Sequence, residues 1–224
     1  MSARDGKPTL AVIGGTGHLG GALARRWVKA GYHVLVGSRD AAKARDAASA
    51  LARECNVSVE GGANRDVAGR ADIIVVTVPF ASQAATLGDI RDAAQGKLVV
   101  DCTVPLVPPK VMRVQLPAEG CAAVIAQRTL GDGVTGVSAF HNVAAHKVAT
   151  DELVDCDVLV FGDVRDARET VVSLARAAGL RGLHAGSLAN SAAAEALTSV
   201  LIFVNKHYGV DGAGVRLTGA FPTR

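Results

Sequence analysis

Short runs of consecutive apolar residues alternate along this chain with longer stretches in which apolar positions recur every three or four residues. That alternation predicts a parallel sheet wound with helices. Residues 9–13 read as the first strand. Residues 18–30 follow as a helix with Leu19, Leu23, Trp27 and Ala30 on one face, closed by Gly31. Residues 33–36 make a second strand, and Asp40 is the expected N-cap of an alanine-rich helix reaching Glu54. A short third strand is expected at 57–59. The β-branched run at 72–78, stopped by Pro79, has the character of a central strand buried on both faces.

The same rhythm continues downstream. A helix at 82–94 closes at Gly96, and residues 98–102 supply the next strand. Pro105, Pro108 and Pro109 hold an extended segment, followed by a helix at 118–129 and a strand at 137–140. Beyond it come a strand at 158–161, a helix at 164–178, a strand at 180–183, the longest helix at 188–208, and a terminal strand or tail at 215–218. The expected fold class is α/β: a Rossmann-type doubly wound, mostly parallel sheet with a small C-terminal α/β lobe.

The turn between the first strand and helix reads Gly15-Thr16-Gly17-His18-Leu19-Gly20. A Gly-x-Gly-x-x-Gly run is a weak signal alone and a strong one in this strand–helix context. Gly15 is expected to permit the tight turn, Gly17 to let a pyrophosphate approach the backbone, and Gly20 to allow close helix–strand packing. The helix beginning near His18 then aims free N–H groups and its positive dipole end at the phosphates. At the end of the second strand, where a NAD site carries an acid, stand Gly37-Ser38-Arg39, with Lys43 one turn onward. A carboxylate there would repel a 2′-phosphate, whereas a hydroxyl, a guanidinium and an ammonium hold it, so the expected cofactor is NADP(H). The expected organisation is an NADP-binding domain over residues 1–142 and a small C-terminal lobe over 143–224.

Bulk properties narrow the class. The 224 residues suffice for one core or a core with a small appended unit, and half of them are apolar. A net charge of +3 without a basic tract argues against nucleic acid. Cys55, Cys102, Cys121 and Cys156 form no Cys-x-x-Cys pair, the pattern of reduced cytosolic thiols. The first eight residues are polar, unlike a secretory signal, and the apolar run 200–204 is too short to cross a bilayer. The expectation is a soluble, cytoplasmic protein with no membrane partner.

The residues expected to face a ligand cluster at predicted strand ends. Val78-Pro79-Phe80 would wall the cofactor, and the segment from Asp101 to Leu106 should face the same crevice. Cys102 has no neighbouring base and is not a nucleophile candidate. His141 sits at a strand end and is the one candidate for hydrogen-bonding a substrate carbonyl or supplying a proton, with a structural role nearly as well supported. His146 follows it without the glutamate a metal-binding helix motif needs, so no metal site is expected. Glu195 lies among apolar residues and should pair with a cation or cap a backbone group. A Tyr-x-x-x-Lys pair is absent.

Taken in order, several stretches resemble the NADPH-dependent reductases of coenzyme F420, a 5-deazaflavin. They are Val12-Ile13-Gly14-Gly15-Thr16-Gly17, Gly37-Ser38-Arg39-Asp40 with Lys43, Thr77-Val78-Pro79, Pro105-Leu106-Val107-Pro108, Ser138-Ala139-Phe140-His141-Asn142, Cys156-Asp157-Val158-Leu159-Val160, Gly162-Asp163 and Ala185-Gly186-Ser187-Leu188-Ala189-Asn190. The resemblance implies hydride transfer between NADP(H) and the deazaflavin, in a homodimer whose C-terminal lobe closes a substrate cleft. It implies a cofactor site of Gly15, Thr16, Gly17, His18, Leu19, Ser38, Arg39, Lys43, Val78, Pro79 and Ala139. It implies Pro105, Leu106, Val107, His141, Leu188 and Asn190 as neighbours of the deazaflavin. The alternatives are an NADPH-dependent reductase of a flavin, a quinone-like compound or an imine, and a non-catalytic NADP(H)-binding sensor.

Overall fold

Strand β1 (Leu10–Ile13) starts the sheet, and its four residues are all buried. Helix α1 (His18–Lys29), strand β2 (Val34–Ser38), helix α2 (Ala41–Cys55), strand β3 (Glu60–Ala63) and helix α3 (Asn64–Arg70) follow. Then come β4 (Ile73–Val76), α4 (Phe80–Ile90) with a 3-10 turn at Asp92–Ala94, β5 (Leu98–Asp101), α5 (Ala122–Leu130), β6 (Thr135–Ser138) and α6 (Ala145–Val148). The chain finishes with β7 (Asp157–Gly162), α7 (Arg165–Ala177), β8 (Arg181–His184), a 3-10 turn at Leu188–Asn190, and α8 (Ser191–Tyr208). The structure is a computed structural model that describes residues 6–221; residues 1–5 of the polar N-terminal stretch lie outside the described residues.

Among the described residues one eight-stranded sheet runs in the order β3-β2-β1-β4-β5-β6-β7-β8. Every pairing from β3 to β6 is parallel. β7 joins β6 antiparallel through Val137↔Gly162 and Ser138↔Phe161, and β8 lies parallel to β7. The C-terminal α/β unit therefore extends the sheet. Alternate strand residues fill two opposite cores. Leu10, Val12, Val100 and Val137 pack with Trp27, Phe140, Val171 and Leu174, while Ile13, Ile74, Val76 and Val99 pack with Leu87, Ile90, Ala126 and Leu130. Trp27 ties the halves together: its Nε1–H donates to Leu174 O at 2.9 Å, and its ring meets Phe140 edge-on at 5.9 Å.

The structure departs from the apolar pattern at identifiable places. The third strand is Glu60–Ala63, not 57–59, because α2 lies directly over it. A Cβ on Gly61 would stand 2.2 Å from Ala44 O, so only this glycine-bearing segment fits beneath the helix. Asn56 ends α2 in the left-handed region and leaves Val57 exposed. Helix α3, too short and polar to show a clear period, was not expected. The segment 215–218 is a tail rather than a strand: Val215 O accepts Asp157 N–H, and Leu217 N–H donates to Asp157 Oδ2.

Helix α8 is built inside out. Its buried positions are Ser191, Ala194, Glu195 and Ser199, whereas Val200, Phe203 and Tyr208 are exposed. The stretch Leu188–Tyr208 is long and apolar enough to cross a membrane by length and composition, longer than the run 200–204 suggested.

Candidate functional site

Register brings four strand ends into a row. Ile13 pairs with Val76, Val76 with Asp101, and Asp101 with Ser138. The residues just beyond continue the stitching: Thr77 N–H donates to Ile13 O, Cys102 N–H to Val76 O and Ala139 N–H to Asp101 O, all at 2.9–3.1 Å. This row is the carboxyl edge of the parallel sheet, where open α/β folds bind ligands.

At one end stands the glycine turn. Gly14, just before the motif, adopts the left-handed conformation (φ +78°). Gly15 is required for a different reason, since a Cβ there would lie 2.9 Å from Val12 O. Gly20 has the packing role expected of it, with 2.5 Å from a Cβ to Thr77 Oγ1 and 2.6 Å to Gly14 O. A Cβ on Gly17 would meet only Gly14 O, at 3.2 Å, so the outer side of the turn is open. Helix α1 has no side-chain cap and no acid in its first turn. Its orphan N–H groups and positive dipole end are thus available to an anion, and the cradle fits a dinucleotide pyrophosphate. Thr16 and His18 are exposed beside it, with Leu19 half-buried.

The end of β2 completes this half. Ser38 Oγ accepts Asp40 N–H at 3.2 Å, and Asp40 Oδ1 accepts Ala42 N–H and Lys43 N–H at 2.9 and 3.2 Å. Asp40 is therefore the α2 cap anticipated from sequence. Arg39 and Lys43 are exposed and form no ion pair with any described residue. Across the edge, Val78 is half-buried, Pro79 is exposed at the start of α4, and Ala139 is fully buried behind them.

The other end is a buried polar cluster that sequence reasoning caught only in part. Phe140 adopts φ +67°, unusual for a bulky residue and strained by about 1–3 kcal/mol. That turn sends Phe140 into the Trp27 core and returns His141 toward α8, where Thr198 Oγ1 donates to His141 O at 3.0 Å. His141 Nε2 lies 2.7 Å from Ser138 Oγ, and Ser138 Oγ lies 2.6 Å from Ser191 Oγ. Burial pushes the His141 ring down to about 3, so it is neutral at physiological pH and is no imidazolium proton donor there.

Two carboxyl groups share this cluster. Glu195 caps a backbone, one of the two roles expected of it: it accepts Ala122 N–H at 2.6 Å and Ala123 N–H at 3.1 Å at the start of α5, plus the Ser191 hydroxyl at 2.8 Å. Burial raises its proton affinity and these bonds oppose the rise. Asp101 accepts the Thr103 hydroxyl at 2.7 Å and Gln83 Nε2–H at 2.8 Å; burial nevertheless pushes it up to about 7. Gln83 and Ser191 are the partners that sequence reasoning missed, since Gln83 bonds Asp101 and Ala122 O, and Ser191 bonds Ser138, all distant in sequence. Burial drives the Cys102 thiol well up, which leaves it unreactive.

The remaining sequence candidates spread along this end. Pro105 is buried, Leu106 half-buried and Val107 exposed. Leu188 is buried with Cys121 and Ala123 against α5, whereas Asn190 is exposed and donates to Ala185 O. His146 pairs with Asp211 at 2.7 Å. His141 borders a cavity of about 210 Å³ with Val143, Thr198, Leu201 and Asn205.

Residues 9–105 match the family described as NADP oxidoreductase, coenzyme F420-dependent. The F420-dependent NADP reductase of Methanothermobacter thermautotrophicus is 42% identical over 218 residues, 93% of this chain and 94% of its own length. That of Methanocaldococcus jannaschii is 34% identical over 220 residues, 93% of this chain and 97% of its own. A solved structure from Arthrobacter sp. FB24 shares the fold with a TM-score of 0.80 at 23% identity, covering 95% of this chain and 100% of that one. The chain belongs to the family of F420-dependent NADP reductases.

Proposed function

We propose that this protein moves hydride between NADP(H) and coenzyme F420. The observation that carries the reading is 42% identity, across nearly the full length of both chains, to an enzyme named for that activity. The free cations Arg39 and Lys43 at the end of β2 support NADP(H) over NAD(H). In this reading Gly15, Thr16, Gly17, His18 and Leu19 hold the pyrophosphate, and Ser38, Arg39 and Lys43 hold the 2′-phosphate. Val78, Pro79 and Ala139 form the wall and floor near the nicotinamide. Pro105, Leu106, Val107, His141, Leu188 and Asn190 border the deazaflavin, and residues 143–224 close the cleft over residues 1–142.

The two bound carriers supply the hydride chemistry; the protein's part is to align them and exclude water. A neutral His141 suits that division, because it leaves proton exchange at the deazaflavin to solvent. We further place a second copy of the chain against the apolar outer face of α8, where Val200 and Phe203 are 45% and 49% exposed. A cytoplasmic location goes with the four free cysteines.

Mixing purified protein with NADPH and oxidised F420 should bleach the deazaflavin absorbance in step with NADPH consumption. Bleaching absent while a flavin, quinone or imine is reduced would replace the acceptor; NADPH binding without any turnover would make the protein a sensor. Sedimentation at the monomer mass would remove the dimer.

A further inference from the structure

The buried hydrogen bonds from Glu195 to His141 have a direction that can be assigned donor by donor. The Glu195 carboxylate accepts from Ala122 N–H, Ala123 N–H and the Ser191 hydroxyl. A serine hydroxyl has one proton to give. Ser191 gives its proton to Glu195, so in the 2.6 Å contact with Ser138 the Ser191 oxygen accepts and Ser138 donates. The Ser138 proton is then committed, and its oxygen, 2.7 Å from His141 Nε2, accepts an Nε2–H. Reversal would require a proton on Glu195 aimed at Ser191. Two backbone N–H groups at the start of α5, together with the positive end of that helix, favour the ionised carboxylate instead.

We propose that Glu195 is a positioning residue: through Ser191 and Ser138 it holds His141 as the neutral Nε2–H tautomer, leaving Nδ1 as a hydrogen-bond acceptor. Nδ1 has no partner among the described residues and is not one of the fully enclosed unpartnered atoms. His141 borders the cavity of about 210 Å³ that Val143, Thr198, Leu201 and Asn205 also line. A ligand group that meets Nδ1 must therefore be an N–H or O–H donor, the opposite of the carbonyl contact its position in sequence suggests. Burial keeps the ring uncharged and so preserves the distinction between its two nitrogens.

Only the identity of the ligand rests on the reductase reading; the tautomer does not. Long-range proton–nitrogen correlation NMR of the labelled protein at neutral pH, without coenzyme, reads it directly. In the wild type the His141 Nε2 resonance is expected in the protonated range and Nδ1 in the unprotonated range. Ser191→Ala frees the Ser138 proton to turn toward Nε2, and the Nδ1 resonance should shift toward the protonated range. Ser138→Ala removes the acceptor itself and should likewise abolish the single tautomer. A wild-type Nδ1–H spectrum overturns the proposal without any variant, as do unchanged resonances in both variants. Because no turnover is involved, failure of the hydride-transfer assay leaves this result standing.

Discussion

The two ends of the carboxyl edge are built on opposite plans. At the β1–β2 end stand the main-chain N–H groups that open α1 and two exposed cations with no ion pair to any described residue. At the β5–β6 end His141 is backed by buried bonds that join α4, α5, β5, β6 and α8. The first end draws its capacity from local backbone geometry and exposed charge. The second draws it from distant groups that must all be satisfied together, so it is tied to the fold itself. Substitutions at the two ends should therefore separate binding from folding.

The largest effect is expected from Glu195→Ala. It leaves two N–H groups and the Ser191 hydroxyl without an acceptor, and at 1–3 kcal/mol per unsatisfied group the loss is on the order of 3–9 kcal/mol. A urea midpoint equal to that of the wild type would erase the contrast between the two ends. Arg39→Asp should weaken NADPH by about 1.5–3 kcal/mol, the scale of hydrogen bonds to charged groups, and leave the urea midpoint in place. Titration calorimetry with NADPH checks it; unchanged affinity would mean the 2′-phosphate is held elsewhere. Gly20→Ala puts a methyl against Thr77 Oγ1 and Gly14 O and should cost about 1–3 kcal/mol of stability. Here the β1 end is as demanding as the buried one, and denaturation of this variant measures how far.

The smallest effect is a pH dependence within the buried end. Asp101 titrates near 7 in the native state against an ordinary 3.8. The native chain thus keeps a proton that the unfolded chain sheds, and stability from this group falls as pH rises from about 4 to 7. His141, near 3 against 6.5, has the reverse sign: the unfolded chain takes up a proton the native ring refuses, so its contribution falls as pH drops below about 6.5. Each slope is at most about 1.4 kcal/mol per pH unit, and between about pH 4 and 6.5 they offset. Asp101→Asn should unmask loss of stability on acidification, and His141→Gln the opposite trend. Parallel urea profiles for the two variants would show that these groups do not titrate as the burial implies.

Local signals were legible where a residue's role depends on its neighbours in sequence. The glycine turn, the Asp40 cap, the β-branched β4 and the cations after β2 all belong to that class. Within the turn, Gly14 adopts a positive φ that the Gly-x-Gly-x-x-Gly spacing does not itself mark. The third strand moved because the approach of α2 admits only Gly61 beneath it. Glu195 was legible as a buried carboxylate needing partners, but the partner, the α5 N-terminus, lies more than seventy residues away.

Sequence alone determined the α/β class and the strand–glycine turn–helix unit, because each follows from period and glycine placement within about thirty residues. Tertiary structure decided that β7 and β8 extend the same sheet through one antiparallel pairing, that α8 docks by its polar stripe, and that His141 is neutral. Those outcomes depend on which groups lose water together, a property of three-dimensional packing that no local pattern encodes.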